Sequence, residues 1–177
     1  MKTKASSRTK AKLTHTDAHG RANMVDVAPK PETARSATAR AVVHMAASTV
    51  ALVRASAAKK GDVLAVARVA GIQGAKRTSD LVPLCHPIRL TRVRVDFELG
   101  HDSVVVIAEA DAFDRTGVEM EAMVAASTAA LTVYDMVKAV DRGVRIELAL
   151  TSKSGGRSGT WTRDVPPTAS ARPRKRG

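Results

Sequence analysis

Aromatic residues are nearly missing from this chain: two Phe, one Tyr and one Trp in 177 residues. Proteins that hold single-stranded nucleic acid stack the bases on aromatic faces, so this shortage counts against that class. Cysteine is scarcer still. Cys85 stands alone, which excludes an internal disulfide and points to a reducing compartment. No stretch has the pattern of a signal peptide and no apolar run has the length of a membrane span, so a cytoplasmic protein is expected. Metal spacing is absent too. The five His stand at 15, 19, 44, 86 and 101, and no Cys/His pair has the separation of a zinc site.

Acidic residues are also outnumbered, 17 against 29 Lys and Arg, for a net charge of +12. Such an excess suggests a polyanion partner until it is located. Residues 1–22 carry +5 and residues 162–177 carry +4, leaving only +3 for residues 23–161. Both ends are polar with little to bury, and are read as disordered basic tails flanking one domain over 23–161. A solvated end is the simpler account of each.

The domain is organised around residues 116–140, TGVEMEAMVAASTAALTVYDMVKAV. Its middle, Ala122 to Tyr134, has no charge and places apolar residues on every face, the pattern of a helix buried all round. Thr116 to Glu119 has the form of a capping box. Charges return at Glu119 and Glu121 at one end and at Asp135 and Lys138 at the other.

Around this helix the chain reads as follows. MVDV (24–27) suggests a short strand, and 39–45 a second. Ser48 is placed to cap a helix to about Ala58, and Asp62 to cap another over 63–77. In the latter, Ala67, Ala70, Gly71 and Gly74 let another backbone come close. Two prolines make 79–87 (SDLVPLCHP) a rigid loop. Arg92, Arg94, Asp96 and Glu98 alternate with Val93, Val95, Phe97 and Leu99, a half-buried strand, and 100–102 turn it into a returning strand over 103–113. Arg142-Gly143 is placed to stop the long helix, and 144–150 alternate again in a last strand. The order β, helices, β, β, helix, β predicts an α+β ferredoxin-like sandwich, an antiparallel sheet with helices on one face.

Four places carry reactive groups. His86, held between prolines, can bind phosphate or move a proton, although a structural His in a tight loop is the plainer reading. Its neighbour Cys85 is more simply a small buried apolar group than a nucleophile. Asp135 and Lys138, three residues apart, form an intrahelical ion pair or, at the edge of a neutral run, an acid/base pair. Lys153-Ser-Gly-Gly-Arg157-Ser-Gly follows a strand, and its small residues let backbone N–H groups approach an anion; it lacks Walker spacing. Last come the lysines of Lys59-Lys60-Gly61, with Lys30 and Arg35 earlier; taken singly these cations are solvating.

Together, MVDVAPKPETAR, KKGDVLAVARVAGIQGAKRTSDLVPLCHP, the long-helix segment and KSGGRSG resemble the MoaC family of molybdenum-cofactor biosynthesis, the cyclic pyranopterin monophosphate synthases. The matching stretches run in family order over most of 24–159. The resemblance implies a phosphorus–oxygen lyase that converts 3′,8-cyclo-7,8-dihydro-GTP, supplied by a radical-SAM GTP cyclase, to cyclic pyranopterin monophosphate with release of pyrophosphate. It implies a homo-hexamer, a trimer of dimers with sites between subunits, no specific nucleic acid and no membrane. It assigns no definite cofactor and leaves Mg²⁺ open as a companion of the triphosphate.

Carried over position by position, it implies catalytic roles for Lys60, His86, Asp135, Lys138 and Lys153. Substrate binding falls to Cys85, Glu119, Met120, Glu121, Arg157, Lys30 and Arg35. Lys138, set between charged and neutral forms by its neighbours, would relay protons with Asp135. Two departures stand out. Arg157 replaces the family's usual lysine, and the segment from Lys138 to Lys153 is about one residue shorter. Glu119 and Asp135 lie sixteen residues apart, roughly 24 Å along a straight helix. One nucleotide cannot engage both ends within one chain, so a site using both needs a second subunit. Two competing readings are a nucleic-acid binder with basic tails and another nucleotide cyclase or phosphotransferase.

Overall fold

A computed structural model describes residues 16–17, 19–56, 58 and 61–164. Lys59, Lys60 and most of both expected tails lie outside these residues. Near the N-terminal end, Asp17 takes the Arg21 guanidinium at 2.8 Å and the backbone N–H groups of His19 and Arg21 in a small turn.

The elements are β1 (Thr33–His44), α1 (Ala47–Arg54), α2 (Val63–Lys76), α3 (Thr78–Leu81), β2 (Leu90–Leu99), β3 (Ser103–Asp114), α4 (Glu119–Val137), β4 (Arg145–Ser154) and β5 (Trp161–Thr162). The sheet runs β2-β3-β1-β4-β5 and every pairing is antiparallel. Its first four strands have the ferredoxin-like order expected of a split βαβ unit. A one-residue slip would turn every apolar side chain away from the core, so alternation sets the register. On the covered face Ala39 stands opposite Ala108, and Val95 opposite the same Ala108 from the other side. All three are buried against the helices with Ala41, Val43, Val104 and Val106. With aromatics scarce, Ala and Val fill this layer, and that allows the helices to lie close to the sheet.

The closest approach is between α2 and α4. A Cβ added at Gly71 would sit 2.9 Å from the Ala125 carbonyl oxygen, and one at Gly74 would sit 2.6 Å from Thr128 Oγ1. The small residues expected to admit another backbone do so here, and the backbone admitted is that of the long helix.

Several local expectations are corrected. MVDV (24–27) forms no strand; the Asp26 carboxylate accepts from Ala28 N–H at 2.9 Å and Lys30 N–H closes a turn on Val27. β1 starts earlier than expected, at Thr33. Ser48 lies inside α1, whose first turn is capped from a distance. The Asp141 carboxylate accepts from Ala46 N–H at 2.8 Å and from Thr49 Oγ1 at 3.1 Å. Asp62 does cap α2, accepting from the N–H groups of Leu64 and Ala65. The loop expected over 79–87 begins with the short α3. The capping box at Thr116 does not form: α4 begins at Glu119 after an N-cap at Val118 without a side-chain cap. It ends at Val137, before Arg142-Gly143. Nor is α4 buried all round in the single chain, since Leu131 is 58% exposed. β4 continues through Lys153 to Ser154, and β5 was not anticipated.

Candidate active site

Three adjoining cavities gather where α4 begins. The largest, about 800 Å³, is lined by Lys30, Thr33, Arg35, Arg115, Thr116, Gly117 and Arg157 among others. A second, of about 140 Å³, shares Thr116 and Gly117 with it and adds Cys85, His86, Glu119, Met120 and Glu121. The third, of about 260 Å³, shares His86 and Glu121 with the second and runs along α2 and α3 past Lys76, Thr78 and Ser79. Segments from five parts of the sequence therefore meet at one end of one helix.

The topology explains the meeting. β1 and β3 are paired along their whole length, with Thr33 opposite Asp114. Hence the early basic segment (29–35) and the loop before α4 emerge side by side. β4 pairs with the other edge of β1, and Lys153 stands opposite Ala37. The Gly-rich loop is thereby delivered to the same rim. Gly155 and Gly156 both have positive φ, +90° and +69°, where a side chain is disfavoured. They bend the loop over Arg35, whose guanidinium donates to the carbonyls of Asp114 at 3.4 Å and Arg115 at 3.3 Å. Arg35 thus anchors the loop before α4 while lining the cavity.

The electrostatics divide the site in two. Cations dominate the large cavity; the small one holds acids. Glu121 is almost fully buried. Loss of hydration pushes its carboxyl up to about 7, its own backbone N–H works in the opposite direction, and the nearby Glu119 charge raises it further. A carboxyl in that range changes charge near neutral pH. Burial, with the Glu121 charge second, pushes the Cys85 thiol up. A thiol held neutral is a poor nucleophile, although Cys85 is only half-buried and not the fully buried group expected.

Not every expected residue comes to this end. Asp135 and Lys138 sit at the far end of α4, their side chains paired at 2.6 Å and about half exposed. The Asp135 hydrogen bond and charge hold the Lys138 ammonium above its ordinary pKa. Within one chain this lysine is fixed in its charged form, contrary to the expectation that its neighbours set it between two states. Lys153 turns back into its own loop, donating to Ser158 Oγ and, at 2.9 Å, to the Gly159 carbonyl. It secures the loop whose Arg157 and Ser158 line the cavity. Lys60 lies outside the described residues. Sequence reasoning missed Arg115 and its neighbour Glu32. The signal for Arg115 was slight: a basic residue next to the capping-box pattern. Among the described residues no group of three or more His, Cys, Asp or Glu is arranged to hold a metal ion. No helix among them is long and apolar enough to cross a membrane.

The ferredoxin-like sandwich thus carries a cation-lined cavity that adjoins a buried carboxyl and an imidazole. The chain belongs to the MoaC family, whose family model matches residues 24–156. It is 57% identical over 157 residues to the cyclic pyranopterin monophosphate synthase of Thermomicrobium roseum, a match covering 87% of this chain and 95% of that protein.

Proposed function

We infer that the chain is a cyclic pyranopterin monophosphate synthase acting in molybdenum-cofactor biosynthesis. It takes 3′,8-cyclo-7,8-dihydro-GTP and forms cyclic pyranopterin monophosphate. The bond from the α-phosphorus to the bridging oxygen breaks, a substrate hydroxyl closes the cyclic phosphate, and pyrophosphate leaves. Family membership and the named relative support the reaction. The observation that carries it to this site is the joining of the cation-lined cavity to the His86–Glu121 cavities through Thr116 and Gly117.

The triphosphate lies over Lys30, Arg35 and Arg157, whose charges stabilise the pyrophosphate as its own charge grows. Lys153 acts by holding the loop of Arg157, and Lys60 adds a further cation. The purine-derived ring sits against Cys85, Glu119, Met120 and Glu121. With no capping box to serve, Glu119 is left to this role. His86 and Glu121 exchange protons with the ring system.

Asp135 and Lys138 complete the site from a second subunit. Exposed Val66 and Val69 on α2 and Leu131 on α4 support burial against other copies of the chain, and a hexamer is the assembly proposed. In that setting a partner's groups alter the Lys138 charge balance and allow it to relay protons with Asp135. The lone thiol of Cys85 supports a cytoplasmic location, downstream of the radical-SAM cyclase. The test is to incubate the purified protein with cyclised GTP and measure both fluorescent pterin after oxidation and released pyrophosphate. Both should rise together; neither rising would refute the assignment.

A further inference from the structure

Arg115 is held firmly by its backbone and loosely by its side chain. Its N–H donates to Asp114 Oδ1 at 2.7 Å, and its carbonyl accepts from Arg35 at 3.3 Å. The other oxygen of Asp114 takes the N–H of Arg89 at 3.0 Å. The guanidinium has no comparable hold. Glu32 Oε1 is 3.8 Å from its Nε, too far for a hydrogen bond, and Glu32 Oε2 is taken by Arg89 at 2.8 Å.

Buried polar atoms are normally paired, and each exception needs a reason. Among the described residues, three buried side-chain nitrogen or oxygen atoms lack a hydrogen-bond partner: Thr33 Oγ1, His44 Nε2 and Arg115 Nε. Two of the three belong to residues lining the same cation-lined cavity. Thr33 and Asp114 are cross-strand partners, so both orphans sit at the meeting of β1 and β3. An anion seated in this cavity would give the Arg115 fork an acceptor, in the planar two-donor geometry that guanidinium offers to phosphate.

We propose that Arg115 is a substrate-binding residue that grips the two terminal phosphates and so selects a triphosphate over a monophosphate. Glu32, hydrogen-bonded to Arg89 and only ion-paired with Arg115 Nε at 3.8 Å, leaves the Arg115 donors for the ligand. This rests on the reading that the large cavity receives the triphosphate.

The test measures binding of inorganic pyrophosphate to the full-length protein by calorimetry, alongside KM for cyclised GTP. Arg115→Ala should weaken pyrophosphate binding and raise KM by roughly tenfold to a hundredfold, the value of a hydrogen bond to a charged group. Thermal stability should hold. Arg115→Lys, which keeps charge but loses the fork, should fall between. If Lys30→Ala and Arg35→Ala weaken pyrophosphate binding but both Arg115 variants bind as wild type, the proposal is overturned and the cavity assignment stands. A lowered melting temperature with unchanged affinity would make Arg115 a structural ion-pair partner and overturn it equally. If wild type does not bind pyrophosphate, or no cavity variant weakens it, the cavity assignment fails and takes the proposal with it.

Discussion

The guanidinium of Arg35 occupies the space that a β-carbon on Gly156 would need. The glycine therefore does more than loosen a loop. It lets a cation from β1 lie beneath the turn that follows β4, so that two distant segments share one cavity wall.

Gly156→Ala should displace that guanidinium. Alanine at φ +69° also strains the turn, by about 1–2 kcal/mol. A rise in KM of roughly tenfold is expected, with a smaller change in kcat, because the lost contact serves binding. Steady-state kinetics with cyclised GTP decide this; an unchanged KM would separate Arg35 from the phosphates.

Glu121 should give the protein a pH signature. Its folded pKa of about 7 exceeds its ordinary value of 4.5, so the native state holds the extra proton between these limits. Stability then falls as pH rises from about 4.5 to 7 and levels off above, a loss of at most ~3 kcal/mol from this group. Glu121→Gln should flatten that slope in melting curves recorded from pH 5 to 8 and make the variant the more stable at pH 8. It should also remove the limb near pH 7 from the rate profile. A profile identical to wild type would exclude Glu121 as a proton carrier.

Asp135→Ala and Lys138→Ala should each lower kcat by roughly a hundredfold or more, the scale of a lost acid/base group. Melting temperature should barely move, because the pair is exposed and not part of the core. If subunits share the site, mixed oligomers of Asp135→Ala and His86→Ala chains should recover part of the activity that each lacks alone. Recovery absent from properly assembled mixtures would place both residues in one subunit's contribution or remove one from the reaction.

Gly71→Ala tests the contact between α2 and α4. The new methyl would meet the Ala125 carbonyl at 2.9 Å, a backbone atom that cannot swing aside. Overpacking costs about 1–3 kcal/mol, and helix propensity returns about 1 kcal/mol. A net loss of up to about 2 kcal/mol in urea unfolding is expected. A stabilised variant would show that the helices can separate at no cost.

Strand alternation and the neutral helix were local patterns, visible because a period of two or a long apolar run is imposed by which side chains must leave water. They were enough to specify the α+β layers, the order of the first four strands and the Asp62 cap. Residues near α4's start were recognisable as reactive from local pattern, and as one set only through the family resemblance. Pairing of β1 with both β3 and β4 brings Arg35, Arg115 and Arg157 together, and those pairings join positions about 80 and 120 residues apart. Caps supplied across the fold, such as Asp141 on α1, leave no mark at the helix they serve. The charge state of Glu121 was likewise beyond reach, since it depends on how much water the packed chain removes. The far position of Asp135 and Lys138 was calculable from helix rise alone.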